Sequence, residues 1–356
     1  MKKTKRIPKV PRPFKRRPAA EERVKEAFAN VPKITNETVA EHREDVLGSA
    51  RKYIYPLKHS RRRAVTISST IFITAVIVFM AYVTVSLYKF QSTSGFLYGV
   101  TKVIPFPVAK AGSSWVSYNS YLFELKHYMH YYSTQQGVDF NSKSGKEQLE
   151  SFKKQAIDQV TNDAYVKQLA KKNHVKVTSR EVTTQVQIVR SQNRLGTSQR
   201  EFEEVLNEFW GWDEKDFRRA LQQQLLAQAV VAKLDAETNA QAASTLQQVK
   251  AGADFGVLAG QVSEDLVTKG NAGQYTGVID KNNADIPALV MAELLKLQPG
   301  QYSNVINTGY SLEIVKVNGI QDGKIQASHI AFEFKPVNEY TAPLKAKQKP
   351  SHYIKV

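Results

Sequence analysis

Cysteine is absent from all 356 residues. That excludes disulfides, thiolate metal sites and cysteine nucleophiles, and it fits an exported protein that folds without oxidation. Acidic residues are missing from segment 1–20, MKKTKRIPKVPRPFKRRPAA, where nine Lys/Arg stand among several prolines. Such a segment cannot bury enough apolar surface to offset its chain entropy, so disorder is expected. No glycine-rich phosphate loop and no metal site stand out, and no cofactor is expected. His127 and His130 lie three apart on a helical pattern, a spacing that could ligate a metal, but they read as packing or surface histidines. Charge of either sign is missing from residues 64–87, AVTISSTIFITAVIVFMAYVTVSL.

That last absence organises the chain. At about 1.5 Å of rise per residue, a 24-residue run exceeds the roughly 20 residues needed to cross a hydrocarbon core. Arg61, Arg62 and Arg63 precede it, with Lys58, Lys52 and Arg51 upstream, whereas the far side offers Lys89 and then Lys102. The positive-inside bias therefore predicts a single-pass cell-membrane protein with a cytoplasmic N-terminus and extracytoplasmic C-terminal domains. A signal peptide would have a shorter apolar core and a short basic head, so the segment reads as a retained anchor. Residues 1–63, which read as a basic, largely disordered cytoplasmic tail, carry 19 Lys/Arg against 7 Asp/Glu, a net +12 of the chain's +17. The remainder is close to neutral for its size, so no specific nucleic-acid partner is expected there. The basic tail could touch anionic lipid.

Beyond the span, residues 88–107 read as a stalk with interfacial aromatics and the proline-bearing VIPFPV, and 108–115 as a short strand. A helix is expected over 118–132. From Lys146 a clear helical stripe runs through Leu149, Phe152, Ala156, Val160 and Ala164. Thr178-Ser-Arg-Glu181 and Ser198-Gln-Arg-Glu201 each have the form of a capping box and predict two more helix starts. A last helix begins near Asp213, with Phe217, Leu221, Leu225 and Ala229 at four-residue steps. Residues 108–234 are thus an all-helical module with no catalytic constellation. Past Asp235 the pattern becomes helices over 237–250 and near 251–259, a glycine-bearing loop and a helix over 286–297. Strands then follow over 302–306, 311–317 and 325–334, a small α+β domain with an antiparallel sheet over 235–334. Residues 335–356 read as a tail.

The succession AGADFGVLAGQVSED, glycine loop, LQPGQYS and GYSLEIVKV resembles the parvulin-type peptidyl-prolyl isomerases, whose domain is FKBP-like. Residues 108–234, through VAKAGSSWVSYNSYLFEL, KKNHVKVTSREV and EFEEVLNEFWGWDEKDFRRALQQQLL, resemble the helical chaperone module of SurA- and PrsA-like exported foldases. The resemblance implies that unfolded or proline-containing exported polypeptides are the partners and that X-Pro bonds are isomerised. The family opens its domain with an ASHI-type strand, but here Ala327-Ser-His-Ile330 stands at the end. Either a truncated second repeat begins there, or, the favoured reading, this strand pairs with residues 311–317 and fills the missing place. Carried over position by position, His329 matches the family's first histidine and Asp265 its acidic loop residue, while Ser311 replaces the second histidine. Leu289, Ile286 and Tyr275 would line the proline pocket, with Asp285 and Leu289 where the family has methionine and phenylalanine. The rival readings are a non-catalytic holdase with a degenerate parvulin domain and a cell-envelope scaffold worked by the basic tail.

Overall fold

The computed structural model describes residues 20–29, 34–54, 57–191, 195, 198–281, 283 and 285–355. Of the tail expected to be largely disordered over 1–63, segment 1–19 lies outside the described residues, whereas residues 20–29, 36–54 and 57–63 are helical. The chain divides into two compact units, Met1–Ala81 and Tyr82–Val356.

The first unit contains helices α1 (Ala20–Ala29) and α2 (Asn36–Ile54) and most of α3 (Leu57–Tyr88). Among the described residues one helix is long and apolar enough to cross a membrane, the 28-residue stretch Arg61–Tyr88 within α3. Three of its hydroxyls are satisfied within the helix: Thr66 Oγ1 donates to the Arg62 carbonyl at 2.9 Å, Ser68 Oγ to the Ala64 carbonyl at 2.5 Å and Thr70 Oγ1 to the Thr66 carbonyl at 2.9 Å. Bonds of this kind lower the cost of a hydroxyl in apolar surroundings.

The second unit begins with the last turns of α3, where Val83, Ser86 and Leu87 are buried. The Leu87 carbonyl accepts the Tyr118 hydroxyl at 2.6 Å, and Tyr88 donates to the Pro107 carbonyl at 2.5 Å. The expected stalk is therefore packed structure. Ser94 caps helix α4 (Gly95–Val103), which buries Leu97 and Thr101. The strand expected over 108–115 is a hairpin instead, β1 (Pro107–Ala111) against β2 (Ser114–Ser117), with Ala109 opposite Val116. Gly112, at φ +57°, makes the turn between them.

Helices α5 (Tyr118–Gln135), α6 (Lys143–Lys172), α7 (Ser179–Ser191), α8 (Gln199–Trp210) and α9 (Glu214–Leu234) follow. Both expected capping boxes are present: Glu181 accepts from the Thr178 amide at 2.7 Å, and Ser198 and Glu201 bond reciprocally. The apolar stripes of α7, α8 and α9 meet around Phe202, Leu206 and Leu221. Arg219 ties α9 to α5 by donating to Asn119 and Ser120 at 2.8 and 3.0 Å, with its guanidinium 4.4 Å from the Phe123 ring centroid. His127 stacks on Trp212 at 4.6 Å, and His130 Nε2 lies 3.0 Å from the Glu208 carbonyl, so both act in packing.

The next domain is a sheet covered on both faces. Helices α10 (Ala236–Lys250), α11 (Phe255–Val262), α12 (Leu266–Lys269) and α13 (Ala288–Leu294) precede strands β3 (Ile306–Asn307), β4 (Ser311–Gln321) and β5 (Lys324–Glu333). Period-two alternation sorts the side chains. Leu312, Ile314, Ile330 and Phe332 pack on α10 and α11, whereas Val315, Val317, Ile325 and Ala327 pack on α13. Asp322 and Gly323, at φ +51° and +71°, form the tight turn between β4 and β5. The expected pairing of the ASHI segment is observed, with Ile314 opposite Ile330 and Val315 opposite His329. The helix expected over 286–297 is shorter at both ends, because Pro287 caps α13 and the chain turns at Leu295.

The expected C-terminal tail is also structured. Helix α14 (Val337–Lys347) sets Val337, Tyr340 and Leu344 against Val166, Leu169 and Val230 of α6 and α9. Strand β6 (Ser351–His352) then pairs with β1, Ala109 opposite His352. The helical module is thus closed by both ends of the 82–356 unit, with the sheet domain inserted between them.

Candidate active site

β4 and β5 bring two titratable residues to one sheet face. Glu313 shares the alternation of Val315 and Val317, and His329 that of Ala327, so both point away from α10 and α11. Glu313 Oε2 lies 3.1 Å from His329 Nδ1, and each residue is 6% exposed. The other side comes from the loop after α11. Asp265 caps α12 by accepting the Val267 amide at 3.0 Å, and its second oxygen lies 2.8 Å from His329 Nε2. The Thr268 hydroxyl donates to that oxygen at 2.7 Å and also lies 2.8 Å from Nε2. The Tyr275 ring stacks on the imidazole with centroids 4.3 Å apart, its hydroxyl 3.5 Å from Glu313 Oε2.

Backbone geometry locks this arrangement. The His329 amide donates to the Gly273 carbonyl at 2.8 Å. Gly273 sits at φ +74°, and a Cβ there would stand 2.3 Å from the His329 carbonyl oxygen, so only glycine fits. Burial acts to raise the Asp265 carboxyl, but bonds from the Thr268 hydroxyl, the Val267 amide and His329 outweigh it and hold the group below its usual range. Burial first, and then the Glu313 carboxylate, push the Tyr275 phenol up, so it stays protonated and can donate. An imidazole with carboxylate oxygens at both nitrogens can donate to both only as the imidazolium.

The expected site residues fare differently. His329 and Asp265 meet as the resemblance implies. Ser311 does not reach the imidazole: its hydroxyl bonds Thr308 at 2.8 Å and Glu313 Oε1 at 3.2 Å. Glu313, two residues on, faces His329 instead. The signal for it lay in the strand alternation, since an acidic residue between Leu312 and Ile314 must take the opposite face. Tyr275 is in the cluster as a ring stacked on His329. Ile286 is a core residue at 4% exposure, packed with Val290, Met291 and Leu294. Leu289 is exposed and lines a groove of about 410 Å³ with Ala292, Val305 and Ile306, whose described lining includes none of Asp265, Glu313 and His329. Exposed apolar side chains do stand beside Asp265, in Leu266 and Val267.

Residues 57–231 match the family model described as a SurA-like N-terminal domain, and residues 225–319 match that of the PPIC-type PPIase domain. The chain thus joins a SurA-like N-terminal domain to a PPIC-type peptidyl-prolyl isomerase domain. Its sheet domain is of the parvulin-type peptidyl-prolyl isomerase class. A 1.70 Å crystal structure of the peptidylprolyl isomerase PrsA from Bacillus anthracis is similar at 19% identity, covering 54% of this chain and 86% of that chain, with a TM-score of 0.18. No curated protein matches it. The isomerase match ends at residue 319, so β5 of the foldase, with His329, lies beyond it.

Proposed function

We propose that this foldase is tethered to the membrane by α3, that its helical module holds unfolded exported polypeptides, and that the His329 cluster isomerises X-Pro bonds. Support for the tether comes from the apolar stretch Arg61–Tyr88 and the excess of basic residues before it. In this reading the N-terminus is cytoplasmic and everything after α3 is extracytoplasmic. Tethering raises the local concentration of foldase where exported chains emerge. β5 takes the place of the strand with which the family opens, since it supplies the histidine and pairs beside the strand that ends the matched region.

One observation carries the enzymatic reading: a buried imidazole is clamped between Asp265 and Glu313 and covered by the Tyr275 ring. Rotation about an X-Pro bond needs no nucleophile. Its barrier of about 20 kcal/mol falls when a site binds the twisted amide better than the planar one. Twisting removes resonance and leaves a more basic nitrogen and a less polarised carbonyl. A rigid, water-poor cluster of donors and carboxylates is suited to that change, because its dipoles need no rearrangement. Leu266 and Val267, exposed beside Asp265, offer apolar contact for a proline ring or its neighbours.

The test is isomerisation of a proline-containing peptide by the full chain in detergent. Activity that falls in both His329→Ala and Asp265→Ala supports the reading, and wild-type activity in both would overturn it. Ser311, which stands where the resemblance puts a second histidine and bonds Thr308 and Glu313 rather than the imidazole, favours a second reading as a holdase. An inactive wild type that still suppresses aggregation of an unfolded protein would decide for that one.

A further inference from the structure

The sequence contains no Asp or Glu from residue 46 to 123, and none after Glu339. Within the 82–356 unit the fold joins the later part of the first segment to the end of the second. β6 pairs with β1, the Tyr353 amide donates to the Val108 carbonyl at 2.9 Å, and Gln91 donates to the Lys355 carbonyl at 2.5 Å. Trp115 stacks on Tyr353 at 5.8 Å, and Lys110 Nζ lies 5.5 Å from the Trp115 ring. The surface starts where α3 ends, at Lys89 and Phe90.

It is apolar where water should penalise it. Phe90, Val103 and Trp115 are 68%, 83% and 63% exposed. On α4, Leu97 and Thr101 are buried, whereas Gly99 and Val103, four apart on one face, are exposed. Lys89, Lys102, Lys110 and Lys355 are exposed on the same segments. These segments carry aromatic and lysine side chains and no carboxylate of their own, the composition of a membrane–water interface, while Asp213 and Asp216 at the start of α9 act on Tyr98 and Lys102 of α4; lysines near such an interface are drawn to anionic headgroups.

We propose that this surface rests on the anionic lipid headgroups of the membrane that holds α3, so that the foldase lobe lies against the bilayer. The inference rests on the tethering reading. An unfolded polypeptide is the rival occupant, and two features favour lipid: the surface is continuous with the end of the apolar helix, and the two segments that build it, far apart in sequence, contain no acidic residue.

Because the chain has no cysteine, one introduced cysteine gives one spin label. Three variants of the full chain, reconstituted in vesicles of phosphatidylcholine with or without phosphatidylglycerol, make the test: Val76→Cys in the span, Gly99→Cys on the surface, and Gln248→Cys on α10. A Cβ at Gly99 meets nothing within 4 Å, so the substitution does not disturb the fold. The preference for collision with oxygen over a polar nickel chelate should be several-fold higher at 99 than at 248 in phosphatidylglycerol vesicles. It should drop towards the 248 value without that lipid, or when Lys89, Lys102, Lys110 and Lys355 are all changed to Gln. A label in lipid at 76 but in water at 99 overturns the inference and leaves the tether standing. So does a label at 99 shielded only on adding an unfolded protein. Equal lipid contact at 99 in both vesicles overturns the anionic assignment. A label in water at 76 overturns the tether and the inference together.

Discussion

Glu313 on β4 and His329 on β5 are diagonal neighbours across the strand pair, Oε2 to Nδ1 at 3.1 Å, both nearly sealed from solvent. Hydrogen bonds to charged groups contribute about 1.5–3 kcal/mol. Glu313→Gln should therefore lower isomerase activity roughly tenfold or more if the charge helps hold the imidazole. Ser311→Ala, which removes a contact to the other oxygen of Glu313, should change it by less than about threefold. Peptide isomerisation kinetics of both variants check this, and the reverse ranking would return the role to Ser311.

Gly273→Ala should cost the sheet domain well over 2 kcal/mol, since the methyl group meets the His329 carbonyl and the Ala259 methyl at 2.3 and 2.7 Å in a backbone conformation that favours glycine. Gly277, also at positive φ but with open space around it, is the control. Urea unfolding followed by loss of activity should shift far more for the first than for Gly277→Ala.

The helical module holds two partly buried groups with opposing pH dependence. Burial first, and then the Asp163 carboxylate, against an opposing pull from Arg219, push Glu124 from 4.5 up to about 7. The unfolded state then releases its proton first, so stability from this group falls as pH rises from 4.5 to 7. Burial first, and then His130, lower His127 from 6.5 to about 4, so its contribution is full above 6.5 and is lost as pH falls towards 4. Relative to wild type, Glu124→Gln should gain stability as pH rises through its window, by up to about 3 kcal/mol. His127→Gln should gain as pH falls through the other. Denaturant midpoints across pH 4 to 8 test both, and flat difference curves would contradict them.

Removal of residues 336–356 should destabilise the helical module by about 3 kcal/mol or more, because Val337, Tyr340 and Leu344 leave its core and β1 loses an edge partner. Limited proteolysis should open α6 and α9 before the sheet domain. Unchanged resistance would mean the segment is a tail after all.

Local chemistry made much of this legible. A charge-free run, two hydroxyl–carboxylate capping pairs, helical stripes from Leu149 to Ala164 and alternating strands around Asp322-Gly323 each encode an element within a few residues of themselves. His329 and Asp265 were legible through the family's motifs, and the hairpin that unites them through the short turn between β4 and β5. What depended on residues far apart was decided by the tertiary structure alone. Only the register of β4 on β5 puts Glu313, rather than Ser311, against the imidazole. Pairing of Ala109 with His352 turns a tail into the seal of a module, and the contacts of Leu87, Pro107 and Tyr118 turn a stalk into packed structure. The physical reason is the range of the forces involved: capping and periodicity act within a turn or a strand, whereas burial rewards any apolar or hydrogen-bonding partner, and which partner is met depends on the whole chain's path.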